Sequence, residues 1–147
     1  MNGNIEKQQR YIALKERLNK ALKNSFWFEA CMIEYAIIED RTSSILFYSK
    51  VCEHAYDSSK KLSNKLNSIE HQIGKEHEII SEKIDKELIL SIRNWKDERN
   101  DLVHRACMSF DETRAKEVAL EGEKLVKLIS NASARITRYV NRMGENI

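Results

Sequence analysis

Arg99, Asn100 and His104, within the stretch RNDLVH, are the residues whose types and spacing could do chemistry. Arg99 belongs to the row Leu88, Ile92, Trp95, Arg99, Leu102 and Ala106, which repeats at intervals of four and three, so a guanidinium stands where a core side chain is expected. Taking that charge out of water costs several kcal/mol unless a carboxylate, a phosphate or a wet cleft receives it. A structural ion pair is one reading, an anion-holding group the other. A second row, Arg93, Asp97, Asn100 and His104, shares another face of the same helix. On an ideal helix Arg99 and His104 diverge by about 140° and ~7.5 Å along the axis. Within one chain they flank a groove without touching, which leaves room for a second copy of the helix or for a phosphate. Histidine as a residue type exchanges a proton near neutral pH, although a single histidine near a helix end is commonly a plain surface residue.

The elements that must position these residues are helices. Proline is absent where average usage would give roughly seven, and there are four glycines in 147 residues, so helix breakers are almost missing. With 41% hydrophobic and 33% charged residues, the chain is expected to form one globular domain over residues 1–147 with a core of its own. Tyr11, Leu14, Leu18 and Leu22 mark a first amphipathic helix over about 5–23, and Trp27, Ala30, Ile33, Ile37, Ser44 and Tyr48 a broadly apolar second one over about 25–48. A connection with Asp57 or a neighbouring serine as N-cap leads to a polar third helix, which Gly74 breaks. A fourth helix should begin near Lys75 or Ser81 and reach about Cys107. Ser109 and Glu112 have the spacing of a capping box for a fifth. That last helix carries Val118, Gly122, Leu125, Ile129, Ala132, Ile136, Tyr139 and Met143 at intervals of four and three, a stripe suited to a long partner helix or a subunit interface. The fold class is therefore all-α, a single bundle of about four or five helices.

Other classes recede. Cys31, Cys52 and Cys107 are too few and too widely spaced for a disulfide framework, and no close Cys/His pairing suggests a zinc site. The most apolar stretch, Phe26 to Ile38, is interrupted by Glu29 and Glu34 and is shorter than the ~20 residues that cross a bilayer. The N-terminus MNGNIEKQQR has no signal-like apolar segment. These features favour a cytoplasmic protein with no membrane partner. The formal net charge is +2, from 25 basic and 23 acidic residues, so any electrostatic footprint must be local.

The pattern RNDLVH, late on a helix with another long helix after it, resembles the R-x(4–6)-H signature of the HEPN (higher eukaryotes and prokaryotes nucleotide-binding) domains. The likeness extends over nearly the whole chain in size and helical character. Many members of that family are metal-independent endoribonucleases of toxin–antitoxin, abortive-infection and CRISPR-associated systems, and others are non-catalytic binding or assembly modules. The resemblance implies an all-helical bundle that cleaves single-stranded RNA without a cofactor, as a toxin or phage-defence effector with an antitoxin protein as a possible partner. It implies a homodimer whose active site is composed from both protomers. His104 would take the proton of an RNA 2′-hydroxyl or protonate the leaving 5′-oxygen, and Arg99 would hold the scissile phosphate. Asn100 would orient the histidine or contact the phosphate. The sequence offers no carboxylate cluster to hold a metal ion.

Supporting roles fall to Arg93 and Arg105 beside the motif, and to the second-helix row Glu34, Ile38, Arg41, Ile45 and Tyr48. There Glu34 and Arg41 read as an internal salt-bridge network, or Glu34 or Glu39 fixes Arg99 while Arg41 helps to hold RNA. Arg135, Arg138 and Arg142 form a solvated face or touch phosphate. One departure from the family stands out. Members paired with a nucleotidyltransferase antitoxin often carry tyrosine two residues after the histidine, and that position here is Ala106. The rival to the ribonuclease is a non-catalytic helical module that binds a partner protein or nucleotide, with Arg99 in an internal ion pair.

Overall fold

Without proline to interrupt it, most of the chain winds into helix. The computed structural model describes residues 2–57 and 59–145, and these contain six helices and no strand: α1 (Asn2–Lys23), α2 (Trp27–Tyr48), α3 (Leu62–Gly74), α4 (Ile80–Lys83), α5 (Lys86–Arg105) and α6 (Glu112–Glu145). The additional helix, relative to four or five, arises where one long fourth helix was expected. His77 Nδ1 accepts from the Ile79 and Ile80 amides and starts the single turn of α4. Ile84 is extended, and Asp85 then restarts the chain as α5 by accepting from the Glu87 amide at 3.0 Å.

The caps depart from the sequence expectation for identifiable reasons. Asp111, not Ser109, caps α6, because its Oδ1 accepts from the Thr113 and Arg114 amides. Asp57 accepts from the Ser59 amide in a local turn, and α3 begins after Lys61 with no side-chain cap. Three helices end in the Schellman motif without glycine. Ser25, Lys50 and Glu76 take φ of 61°, 63° and 55°, and each is followed by a residue whose amide returns to the carbonyl five positions earlier: Phe26 to Ala21, Val51 to Leu46 and His77 to Gln72. Gly74 ends α3, yet Glu76 makes the left-handed turn.

The chain divides into two compact units. The first comprises Met1–Ile37 and Trp95–Lys124. Leu18, Ala30, Cys31, Trp95, Leu102 and Val118 are buried in it, and the Trp95 indole donates to the Val118 carbonyl at 2.8 Å. The second comprises Ile38–Asn94 and Leu125–Ile147, where Ile45, Leu66, Ile69, Ile80, Ile89 and Ile129 are buried. The α6 stripe from Val118 to Ile136 is buried within the chain itself; Tyr139 is half-buried and Met143 exposed. That stripe is core, so it does not remain available as a subunit face. Ile92, Trp95 and Leu102 of the α5 row are buried likewise.

Candidate functional site

The site is built from the second half of α5 and the first half of α2, both in the first unit. Trp95 and Leu102 are drawn into the core, and their register brings Arg99, four residues after Trp95, to the edge of it half-buried. No carboxylate meets the guanidinium among the described residues. Its carbon lies 4.3 Å from the centre of the Tyr35 ring, a cation–π geometry. Nη1 donates to Asn100 Oδ1 at 3.0 Å and Nη2 to the Met32 sulfur at 3.0 Å, while the buried Nε has no partner. Burial lowers the proton affinity of Arg99 from its usual value, and Tyr35 and Cys31 work in the opposite direction. An arginine held by a ring, an amide and a thioether keeps a charge that no acid compensates.

His104 lies one turn further, exposed, in the last turn of α5, with no bonded side-chain partner among the described residues. Asn100 is engaged with Arg99, and no bond ties it to the histidine. Arg105 donates to Asp101 Oδ1 at 2.9 Å, and Arg114 of α6 donates to the other oxygen at 2.8 Å. Those two guanidinium groups, Arg114 first, hold the Asp101 carboxyl below the usual range. Arg105 is therefore shared with an acid but stays largely exposed.

Glu34 does not fix Arg99, and it does not pair with Arg41. Its side chain is completely buried on α2, and neither carboxyl oxygen has a hydrogen-bond partner. Burial, reinforced by the nearby Glu123 carboxylate, pushes its pKa up to about 9, so at neutral pH it is a protonated acid. It fits because α6 carries Gly122 opposite. A Cβ there would lie 2.6 Å from Glu34 Cδ and 2.9 Å from Trp95 Cζ2. Cys31, one turn before Tyr35, is also buried, and desolvation followed by the neighbouring Glu34 pushes its thiol up to about 12.

The remaining expected residues lie in the second unit. Arg93 donates to Asn67 Oδ1 and to Glu70 Oε2, both at 2.9 Å, and so ties α5 to α3. Arg41 pairs with Asp40, its neighbour in sequence. Glu39 is half-buried, and its backbone carbonyl accepts from Ser43 Oγ at 3.0 Å. Among the described residues no group of three or more His, Cys, Asp and Glu side chains is placed to hold a metal ion, and no helix is long and apolar enough to cross a membrane.

Tyr35 and Met32, the partners of Arg99, and Gly122, the complement of Glu34, were not visible as site residues in the sequence. Their one signal is positional: Met32 and Tyr35 lie one turn apart on α2, the spacing that lets two side chains grip a third from a neighbouring helix. No protein-family model, curated protein or solved structure matches the chain.

Proposed function

We propose that this chain is a HEPN-type endoribonuclease that cleaves single-stranded RNA by attack of a 2′-hydroxyl, acting as a toxin or defence effector. The observation that carries this reading is the state of Arg99: a half-buried guanidinium with an unpartnered Nε and no carboxylate, positioned by Tyr35, Met32 and Asn100. A structural ion pair would have supplied the missing acid. In the proposed reaction Arg99 binds the scissile phosphate and stabilises the charge that develops on it. His104 removes the 2′-hydroxyl proton, the 2′-oxygen attacks phosphorus, and the bond to the 5′-oxygen breaks as that oxygen takes a proton from a His104 imidazolium, which yields a 2′,3′-cyclic phosphate and a 5′-hydroxyl. The chemistry asks for no cation. Because Arg99 and His104 diverge around α5, a two-fold dimer that sets a second copy of each across the groove completes the site.

One observation favours a second reading, a non-catalytic module that binds an anionic partner. The His104 imidazole is exposed and no side chain among the described residues is bonded to it, whereas a general base is normally held by a neighbour. Incubation of the purified protein with generic RNA in EDTA, beside His104→Ala, separates the two. Cleavage that persists in the chelator, leaves cyclic phosphate ends and vanishes in the variant is expected. Cleavage that stops on chelation and returns with magnesium or manganese overturns the mechanism, and an inactive wild type leaves the module.

A further inference from the structure

The positive charge of this chain is concentrated in one helix. Its formal excess is +2, yet α1 alone carries six basic residues, Lys7, Arg10, Lys15, Arg17, Lys20 and Lys23, against the acids Glu6 and Glu16, so the rest of the chain is slightly acidic. That helix is also weakly buried: Leu18 and Ala21 are its only core residues among those described, and Arg10, Arg17, Lys20 and Lys23 are exposed. Between α1 and the start of α2 lies a groove of about 540 Å³ with Arg17 and Lys20 on one wall and Phe28 and Met32 on the other. Phe26, 56% exposed, also lines it, and Glu29 is the one acid in its lining among the described residues. Met32 is also the residue whose sulfur accepts from Arg99 Nη2 at 3.0 Å. Met32 thus belongs both to the wall of this groove and to the set of side chains that hold Arg99.

We infer that the groove between α1 and α2 is the track for the strand flanking the scissile phosphate: Arg17 and Lys20 hold successive phosphates of single-stranded RNA and Phe26 stacks one of its bases. The inference rests on the ribonuclease reading for the identity of the strand. The physical case is charge complementarity at the rim combined with aromatic and thioether surface at the floor, the pairing that binds single strands with little sequence preference. A protein partner would meet the same aromatic floor but would have no need of the two cations, Arg17 and Lys20, on the wall beside it.

The test separates binding from cleavage. Binding is read in the His104→Ala background by fluorescence anisotropy with a labelled single-stranded 12-nucleotide RNA, for the parent, for Arg17→Glu with Lys20→Glu, and for Phe26→Ala. Lys124→Glu with Lys127→Glu, two exposed basic positions of α6 outside the groove, controls for net charge. Circular dichroism melts confirm that each variant is folded. The double reversal at the groove should weaken binding at least about tenfold and lower the salt slope by about 1.4, two single-strand phosphate contacts. Phe26→Ala should weaken it about tenfold, the loss of one stacked base. Equal losses in the groove and control pairs, or losses below twofold in the groove variants, overturn the track, as does a parent that binds no RNA. Wild-type cleavage is scored independently. Groove-dependent binding without cleavage defeats the ribonuclease reading and leaves the track standing, whereas cleavage unchanged by the groove variants defeats the track alone.

Discussion

The Arg99 guanidinium lies over the face of Tyr35, 4.3 Å from the ring centre, and is bonded to a side-chain amide and a thioether instead of an acid. Each of those partners positions a cation without neutralising it. A carboxylate in the same place would compete with any incoming phosphate, and a ring does not. The α5 register that buries Trp95 and Leu102 thus leaves between them a charge that is held in place and still unsatisfied.

Arg99→Ala should abolish RNA cleavage while lowering unfolding free energy by no more than about 2 kcal/mol, since what is lost is a partly exposed cation–π contact with the bonds to Asn100 and Met32, and no buried acid is stranded. Arg99→Lys keeps the charge but loses the planar stack on Tyr35, and its kcat should fall by at least about 100-fold. Urea titration with a parallel cleavage assay reads both. A loss of 3 kcal/mol or more in Arg99→Ala would show that an acid does pair with this arginine.

Glu34 should make the protein less stable as pH rises. Its folded pKa of about 9 lies above the ordinary value of 4.5, so between those limits the native state holds a proton that the unfolded chain has released. Stability is full below the lower limit and falls by up to about 1.4 kcal/mol per pH unit toward the upper one. Glu34→Gln removes the titration while keeping the shape. The difference between wild type and variant in urea midpoint should therefore shrink steadily from pH 8.5 to pH 5.5. Parallel midpoint curves for the two proteins would mean that Glu34 is ionised or solvated in the native state.

Gly122→Ala should destabilise by about 2 kcal/mol even though alanine favours helix, because the added methyl meets Glu34 Cδ and the Trp95 ring inside van der Waals distance. Near-ultraviolet circular dichroism should report the displaced indole. In a Glu34→Ala background the same change should cost at least about 1 kcal/mol less, the coupling expected of two groups that share one space. Additive effects in that cycle would place the strain elsewhere.

How far the sequence could be read follows from which interactions are local. The absence of proline and the spacing of apolar residues place α1 and α2 within a few residues of their observed bounds, because helical periodicity is a property of consecutive positions, whereas α5 starts at Lys86, beyond the expected Lys75 or Ser81. Arg99 announced itself by interrupting that periodicity. Its partners could not be found the same way: Tyr35 and Met32 are set by the packing of α2 on α5, and nothing in their immediate neighbours distinguishes them. Glu34 was read as half of an ion pair because buried acids usually have one. That it stands alone depends on Gly122, 88 positions away in sequence, which leaves the volume for it. The break between α4 and α5 was missed because His77 and Asp85, ordinary surface residues by composition, cap through side chains whose geometry appears only after folding.

The proton retained on Glu34 changes how the whole molecule behaves in an electric field. Composition counts that residue as an anion and places the isoelectric point near 8.4. With the carboxyl neutral up to about pH 9, the folded chain carries one more positive charge than the formal +2 throughout the neutral range, and its isoelectric point moves above the compositional value. Unfolding would release that proton, so the native and denatured forms should focus at different positions, with the denatured form the more acidic of the two.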